Sequence, residues 1–241
     1  IVFGDWSSDV CSSDLFGFDG RSLKCLLIKR DGQDLKLPGS LISDQEDIPS
    51  AAYRVLEEMT GLKDIFLKEL SVFSDPFRVG KKDLDWINHF YGVHTKRVVT
   101  VAYYALVKLD NKIMSHIREK EAFWKEVDSI SVLAMDHKDI LNKALSMLSR
   151  DMTHSPIAFE LLPRKFTIRE LADLYKAVLG VEIDNRNFRK KIIGCGYILP
   201  TGEKEKGVAH KPAAYYIFDK HRYKRERSEE RRVGKECRSR W

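Results

Sequence analysis

Between Leu37 and Leu62 the chain reads LPGSLISDQEDIPSAAYRVLEEMTGL, and its charged residues stand at spacings that matter chemically. Side chains three and four positions apart on a helix share a face. Carboxylates so placed at 55, 58 and 59 would gather oxygen ligands around magnesium, which in turn holds a nucleotide's phosphates. Here that face carries Glu58 with Val55 and Met59. One carboxylate and two apolar side chains are a poor magnesium site. Glu57 is turned about 100° away and does not replace them. No spacing brings Asp83 or Asp85 to the same point. What remains suits binding better than hydrolysis: Arg30, Gly39, Ser40, Glu46, Arg54 and Glu58 are candidate ligand-binding residues, with no catalytic residue and no metal or other cofactor expected. Glu46 and Arg54 serve equally well as a bridge within the loop.

A second constellation lies near the other end. Asn185, Arg186, Asn187, Arg189, Lys190 and Lys191 combine amide and guanidinium groups suited to base edges with cations suited to phosphates. Phe188, Ile192 and Ile193 give the same segment an inward stripe. Lys204, Lys206, His210 and Lys211 follow in a turn-rich stretch, where they could track a nucleic-acid backbone. Thr167 and Arg169 open the preceding helix, and helix N-termini attract phosphates. These twelve are the candidate DNA-binding residues. The alternative is a solvated basic face on an interaction module.

The elements that must position these groups are partly legible. Lys24–Lys29 and Arg97–Lys108 have strand character. Ala52, Val55, Leu56 and Met59 fall at helical spacing between the start signal Pro49–Ser50 and the stop Gly61. A helix is expected over 136–148 with Asp136 as cap, and the stretch 149–163, with Pro156 and Pro163, loses periodicity and holds the domain junction. Thr167 opens a helix through Leu179, closed by Gly180. Asp184 caps another reaching about Ile193, and Tyr197–Leu199 and Ala214–Phe218 form a hairpin. The segment Gly80–Lys96 reads as a long loop, and His89, His94 and His137 read as solvated.

Both ends look foreign. GDWSSDVCSSDL, Gly4 to Leu15, and RSEERRVGKECRSRW, Arg227 to Trp241, resemble translated sequencing adapters. The expected division is 1–15 artefact, 16–150 sensor domain, 151–226 DNA-binding domain with its linker, and 227–241 artefact, with the true N-terminus missing. The net charge of +6 survives trimming, because an acidic flank and a basic tail offset each other. Cys25 and Cys195 then remain, without disulfide or zinc spacing, as reduced thiols of a cytoplasmic protein. No apolar run approaches the roughly 18 residues of a membrane span.

The segment 37–62 resembles the Nudix box, G-x5-E-x7-R-E-U-x-E-E-x-G-U, in ungapped register. Glu46, Arg54, Leu56, Glu58, Gly61 and Leu62 match, while Ser40, Val55 and Met59 depart from the pattern. IAFELLPRKFTIRELADLYKAVLGVEIDNRNFRKKIIGCGYI resembles the C-terminal winged helix of the Nudix-related transcriptional regulators. The resemblance implies an α+β protein: a Nudix-like α/β/α sandwich with a mixed sheet, followed by a winged helix. It further implies a homodimer, a palindromic double-stranded operator, and a small-molecule effector such as L-arabinose or ADP-ribose. The R-V-L-x-E-[apolar]-T-G-L form of the box looks more like the arabinose-responsive branch. The competing reading is a Nudix hydrolase of a nucleoside diphosphate derivative with an accessory winged helix, and Val55 and Met59 speak against it.

Overall fold

The computed structural model describes residues 8–30, 34–61, 63, 65–109, 113–114, 117, 122–208 and 211–225, with side chains except at 8, 9, 11 and 13. The chain forms two compact units that divide between Leu161 and Leu162. Leu62, His210 and Glu226 lie outside the described residues.

The first unit is built on a mixed sheet. Its elements are β1 (Ser8–Phe18), β2 (Leu23–Lys29), β3 (Leu35–Lys36), β4 (Gly39–Leu41), α1 (Ile48–Thr60), β5 (Phe66–Phe73), α2 (Lys81–Tyr91), β6 (Val98–Lys108), β7 (Ala122–Glu126), α3 (His137–His154) and the short α4 (Ala158–Leu161). Along the sheet the order is β3-β2-β1-β6-β5, with β4 added to β1 and β7 to β2. β1 and β6 run parallel in unbroken register from Ser8↔Val98 to Phe18↔Lys108, so that residues 8–15, read from sequence as a foreign flank, are built into the sheet. Leu15, Leu26 and Ala105 pack with Leu56 of α1. Since neighbouring strand residues face opposite ways, Asp14 and Tyr104 point to the other layer, where the Tyr104 hydroxyl donates to Asp151 of α3. Two helices thus cover the two faces of the sheet, the α/β/α arrangement expected.

Local signals explain the helices. The Asp47 side chain accepts from the Ser50 N–H and a proline sits in the first turn, so α1 starts two residues before the expected point; Gly61, at φ 68°, ends it. α3 continues to His154 rather than fading after residue 148, because Met152 extends the buried stripe of Leu141, Ala144 and Leu148 by one more turn. The expected loop 80–96 is largely helix. α2 runs between Gly80 and Gly92 and buries only Ile87, which leaves little hydrophobic periodicity to read. Among the described residues no helix is long and apolar enough to cross a membrane.

The second unit follows the anticipated order: β8 (Phe166–Thr167), α5 (Ile168–Leu179), α6 (Asn185–Gly194), β9 (Ile198–Lys204) and β10 (Ala214–Phe218). The strands form a small antiparallel sheet ordered β8-β10-β9. A capping box at Thr167 and Glu170 starts α5, and Gly180 at φ 65° closes it. Tyr175 meets Phe188 edge-on at 5.5 Å, joining α5 to α6.

One interior position conflicts with its surroundings. Asp14 is fully buried in β1, and neither carboxylate oxygen has a hydrogen-bond partner among the described residues. Burial pushes its pKa well above the ordinary carboxylate value, so the folded state holds the proton longer than the unfolded chain does. Stability is therefore lost as pH rises from the unfolded value of 3.8 toward the folded one. Asp14→Leu should stabilise the protein at neutral pH by about 1–3 kcal/mol, the scale of an unsatisfied buried polar group. In denaturant titrations the gap between variant and parent should widen from pH 4 to pH 7; a constant gap would mean that Asp14 has a partner.

Candidate functional site

The box loop is fastened to its helix by a forked ion pair. Arg54 Nε donates to Glu46 Oε2 at 3.0 Å and its Nη2 to Glu46 Oε1 at 2.6 Å. The same Nη2 reaches the Leu41 carbonyl at 3.1 Å, while Nη1 makes a longer contact of 3.4 Å to Glu58. Glu46 also accepts from the Ser43 N–H at 2.9 Å. Of the two roles open to this pair, the structure assigns the bridge within the loop. Val55 is buried and Met59 packs against the core, so Glu58 has no companion on its face. The residues present do not fit a box-type magnesium site. Among the described residues no group of three or more His, Cys, Asp or Glu could hold a metal ion.

Beside this loop lies a narrow, mainly apolar pocket. Its floor is Val10 and Ser12 of β1 with Val98 and Thr100 of β6; its walls are Lys36, Leu37, Gly39, Arg78, Trp86, Ile87, Tyr91, Met135 and His137. Of the six residues singled out from sequence, only Gly39 lines it. Ser40 is the next residue of β4, and Arg30 stands behind Trp86, 5.0 Å from its ring. Arg30 is buried and already engaged, donating to Asp83 at 2.5 Å and Asp34 at 2.8 Å. That contact also removes Asp83 from any role at the box.

The remaining pocket residues were not legible as a site. Trp86 and Tyr91 come from α2, where the aromatic run WINHFY was the available signal. Trp86 stacks on Phe90 at 4.9 Å, and the Tyr91 hydroxyl donates to the Gly39 carbonyl at 3.4 Å. Arg78 grips Asp136 through two bonds of 2.7 and 2.6 Å and reaches Thr100 at 2.7 Å. Asp136 does occupy the cap position of α3, but its side chain makes no cap bond; the bidentate pair with Arg78 is the stronger claim on it. His137 is buried, not solvated. Its Nδ1 accepts from the Leu37 N–H at 3.0 Å, and burial, followed by the charges of Lys36, Arg78 and Arg30, lowers its pKa to about 3. The ring is neutral at physiological pH and acts as a structural acceptor. His89 stands exposed on α2 instead of in a loop.

The second unit presents the other site. On α6 the cations Arg186, Arg189, Lys190 and Lys191 and the amides Asn185 and Asn187 are exposed, while Phe188 and Ile192 face inward. Arg189 is steadied by β10: its Nη2 donates to the Tyr216 hydroxyl at 3.0 Å. Lys204, Lys206 and Lys211 are exposed on the β9–β10 hairpin and its loop, and His210 lies outside the described residues. Thr167 departs from expectation. It is buried, and both its hydroxyl and its N–H are used in the capping box with Glu170, at 3.1 and 2.6 Å. A phosphate would have to break that box. Arg169, one residue into α5, is exposed and 3.8 Å from Asp173.

Comparison with known proteins agrees with this division. Residues 158–218 match the NrtR DNA-binding winged helix domain. The chain is 27% identical to the ADPR responsive transcriptional repressor NtrR of Acinetobacter baylyi, over 89% of this chain and 84% of that protein. Its fold is similar to that of Shewanella oneidensis NrtR in a crystal structure with a 27mer DNA: TM-score 0.72, 22% identity, covering 89% of this chain and 95% of that one. A MutT/nudix family protein from Enterococcus faecalis is also similar, with TM-score 0.63, 23% identity and coverage of 90% and 89%.

The Arg54 fork makes a direct prediction. Hydrogen bonds from Arg54, and next from the Ser43 N–H, draw the Glu46 pKa down to about 2 from 4.5. A depressed folded pKa contributes stability above the unfolded value and loses it as pH falls through the folded one. The loop clamp should therefore hold at neutral pH and release between about pH 4.5 and 2. Arg54→Met should accelerate amide exchange at Ser43 at pH 7 while the middle of α1 stays protected. Unchanged exchange at Ser43 would show that the clamp does not order the loop.

Proposed function

We propose that this chain, which joins a Nudix-fold unit to an NrtR-type DNA-binding winged helix, is a ligand-responsive transcription regulator working as a homodimer in the cytoplasm. The observation that carries the reading is α6. It is a helix of four cations and no carboxylate, exposed along its polar face and anchored by Phe188 and Ile192, in the segment that matches an NrtR DNA-binding domain. Amide and guanidinium groups together serve base reading as well as phosphate attraction. Asn185, Arg186, Asn187, Arg189, Lys190 and Lys191 are assigned to the operator's bases and nearby phosphates, with Lys204, Lys206, Lys211 and Arg169 on the backbone.

The Nudix-fold unit is assigned a sensing role. Its box helix lacks the carboxylate pair for magnesium, and its pocket sits beside the fastened loop. The Acinetobacter relative is named as ADPR responsive, which favours ADP-ribose over the arabinose-type sugar suggested by the form of the box. Coupling has a physical route within the first unit. Met135, which lines the pocket at a positive φ of 56°, immediately precedes the cap of α3. That helix is about 27 Å long by its rise per residue, and it ends four residues before the winged-helix match begins.

Three outcomes are expected. With magnesium, the protein should turn over neither ADP-ribose nor nucleoside triphosphates above background; robust protein-dependent turnover would reinstate the hydrolase. Arg186→Ala should weaken operator binding by about 1–3 kcal/mol, the worth of one base-reading contact, without changing the melting of the first unit. In fluorescence titrations at fixed salt, ADP-ribose should shift operator affinity by the factor of roughly 5–150 typical of such couplings. An effector that binds yet leaves DNA affinity unchanged would break the regulator model.

A further inference from the structure

Lys36 is the one pocket cation whose charge the surrounding described residues leave unanswered. The three cations near the pocket differ in their commitments. Arg30 is held by Asp34 and Asp83, and Arg78 is held by Asp136 and Thr100. Lys36, at the end of β3, projects into the same space with its Nζ 5.9 Å from the centre of the Trp86 ring. Among the described residues no carboxylate or carbonyl pairs with it. The field around it is adverse as well: burial, and then the charge of Arg30, lower its pKa to about 8.

An ammonium carries three donors and no acceptor. Taken out of water without a partner it is costly, and a hydrophobic side chain of the same length would serve the fold better. The walls facing it, Leu37, Trp86, Ile87 and Met135, are apolar or aromatic. In such a setting a single charge-assisted hydrogen bond is worth far more than at the surface. Neutral His137 supplies no negative charge, and its Nδ1 is already occupied by the Leu37 N–H.

We propose that Lys36, backed by Trp86, is an anion-recognising subsite of this pocket and determines that the sensed ligand carries a phosphate or carboxylate there. The proposal rests on the sensing role given above to the first unit and narrows it. A neutral pentose would leave the ammonium without a counter-charge, whereas an anionic metabolite would neutralise it. A charged group would lie against Lys36 and Trp86, with the body of the ligand toward Tyr91 and the box loop.

The test uses the full chain, its Lys36→Met and Lys36→Arg variants, and three probes: ADP-ribose, ribose 5-phosphate and L-arabinose. By calorimetry at pH 7, at least one anionic probe should bind the parent. Lys36→Met should weaken that binding about 10- to 100-fold, as expected for loss of one charge-assisted hydrogen bond, and Lys36→Arg should restore part of it. L-Arabinose should gain nothing from Lys36. Without ligand, Lys36→Met should melt no lower than the parent, because it removes a half-buried charge that no described carboxylate answers. The proposal is overturned if the anionic probes bind parent and Lys36→Met equally, if none binds the parent, or if Lys36→Met melts lower without ligand. Operator binding, measured on the same samples, separates the two readings: a chain that fails to bind DNA yet keeps the Lys36 dependence loses the regulator reading and retains the subsite.

Discussion

The first unit depends on the parallel ladder between β1 and β6. Eleven residue pairs, Ser8↔Val98 through Phe18↔Lys108, join strands that lie far apart in sequence. Among the described residues β2 and β4 join the sheet through β1, and β5 joins it through β6. The ladder also sets the pocket, because Val10, Ser12, Val98 and Thr100 form its floor and the Ser12↔Gly39 register brings the box loop over it. Parallel pairing of this kind is usually buried on both faces and correspondingly apolar. β6 obeys that rule. β1 does not, and the unpartnered Asp14 is where the conflict is sharpest.

The two units use their positive charge in opposite ways. In the first, Arg30, Arg54 and Arg78 are each spent on carboxylates that fix the geometry of a loop or a helix start: Asp34 and Asp83, Glu46, and Asp136 respectively. These are forked or multiple contacts, for which the planar guanidinium is better suited than an ammonium. In the second unit the cations of α6 stand at the surface with no carboxylate on that helix. On α6, Arg189 donates to the Tyr216 hydroxyl, a neutral partner that leaves its charge uncancelled. The first unit thus turns its arginines inward onto carboxylates, while the second displays the cations of α6 at its surface.

The pocket and α3 meet at a strained point. Met135 adopts a left-handed conformation that side chains other than glycine rarely take, between the Ala134 N–H bond to Leu35 and the Arg78–Asp136 fork. Strain of this kind persists only where the surroundings over-determine it. Here a backbone bond, a bidentate ion pair and the His137–Leu37 contact supply that constraint within four residues. The helix start and the edge of the pocket are therefore one mechanical piece.

The sequence by itself determined what rests on local patterns. The winged helix was legible in order and almost in boundary, because a capping box at Thr167, a cap at Asp184, a stop at Gly180 and regular apolar spacing act within a few residues of one another. The box helix was legible for the same reason, and with it the placing of Val55 and Met59 beside Glu58, which follows from helical geometry alone. What tertiary structure decided are the contacts whose partners are distant. His137 looked like a solvated residue after a cap, yet a backbone N–H one hundred positions earlier buries it. Thr167 looked available to a phosphate, but its own cap consumes it. Lys36 and Trp86 belong to a strand of two residues and a helix with one buried side chain, too little periodicity for either to announce itself. Only the sheet, by bringing β3, α2 and the start of α3 around the β1–β6 ladder, makes them neighbours.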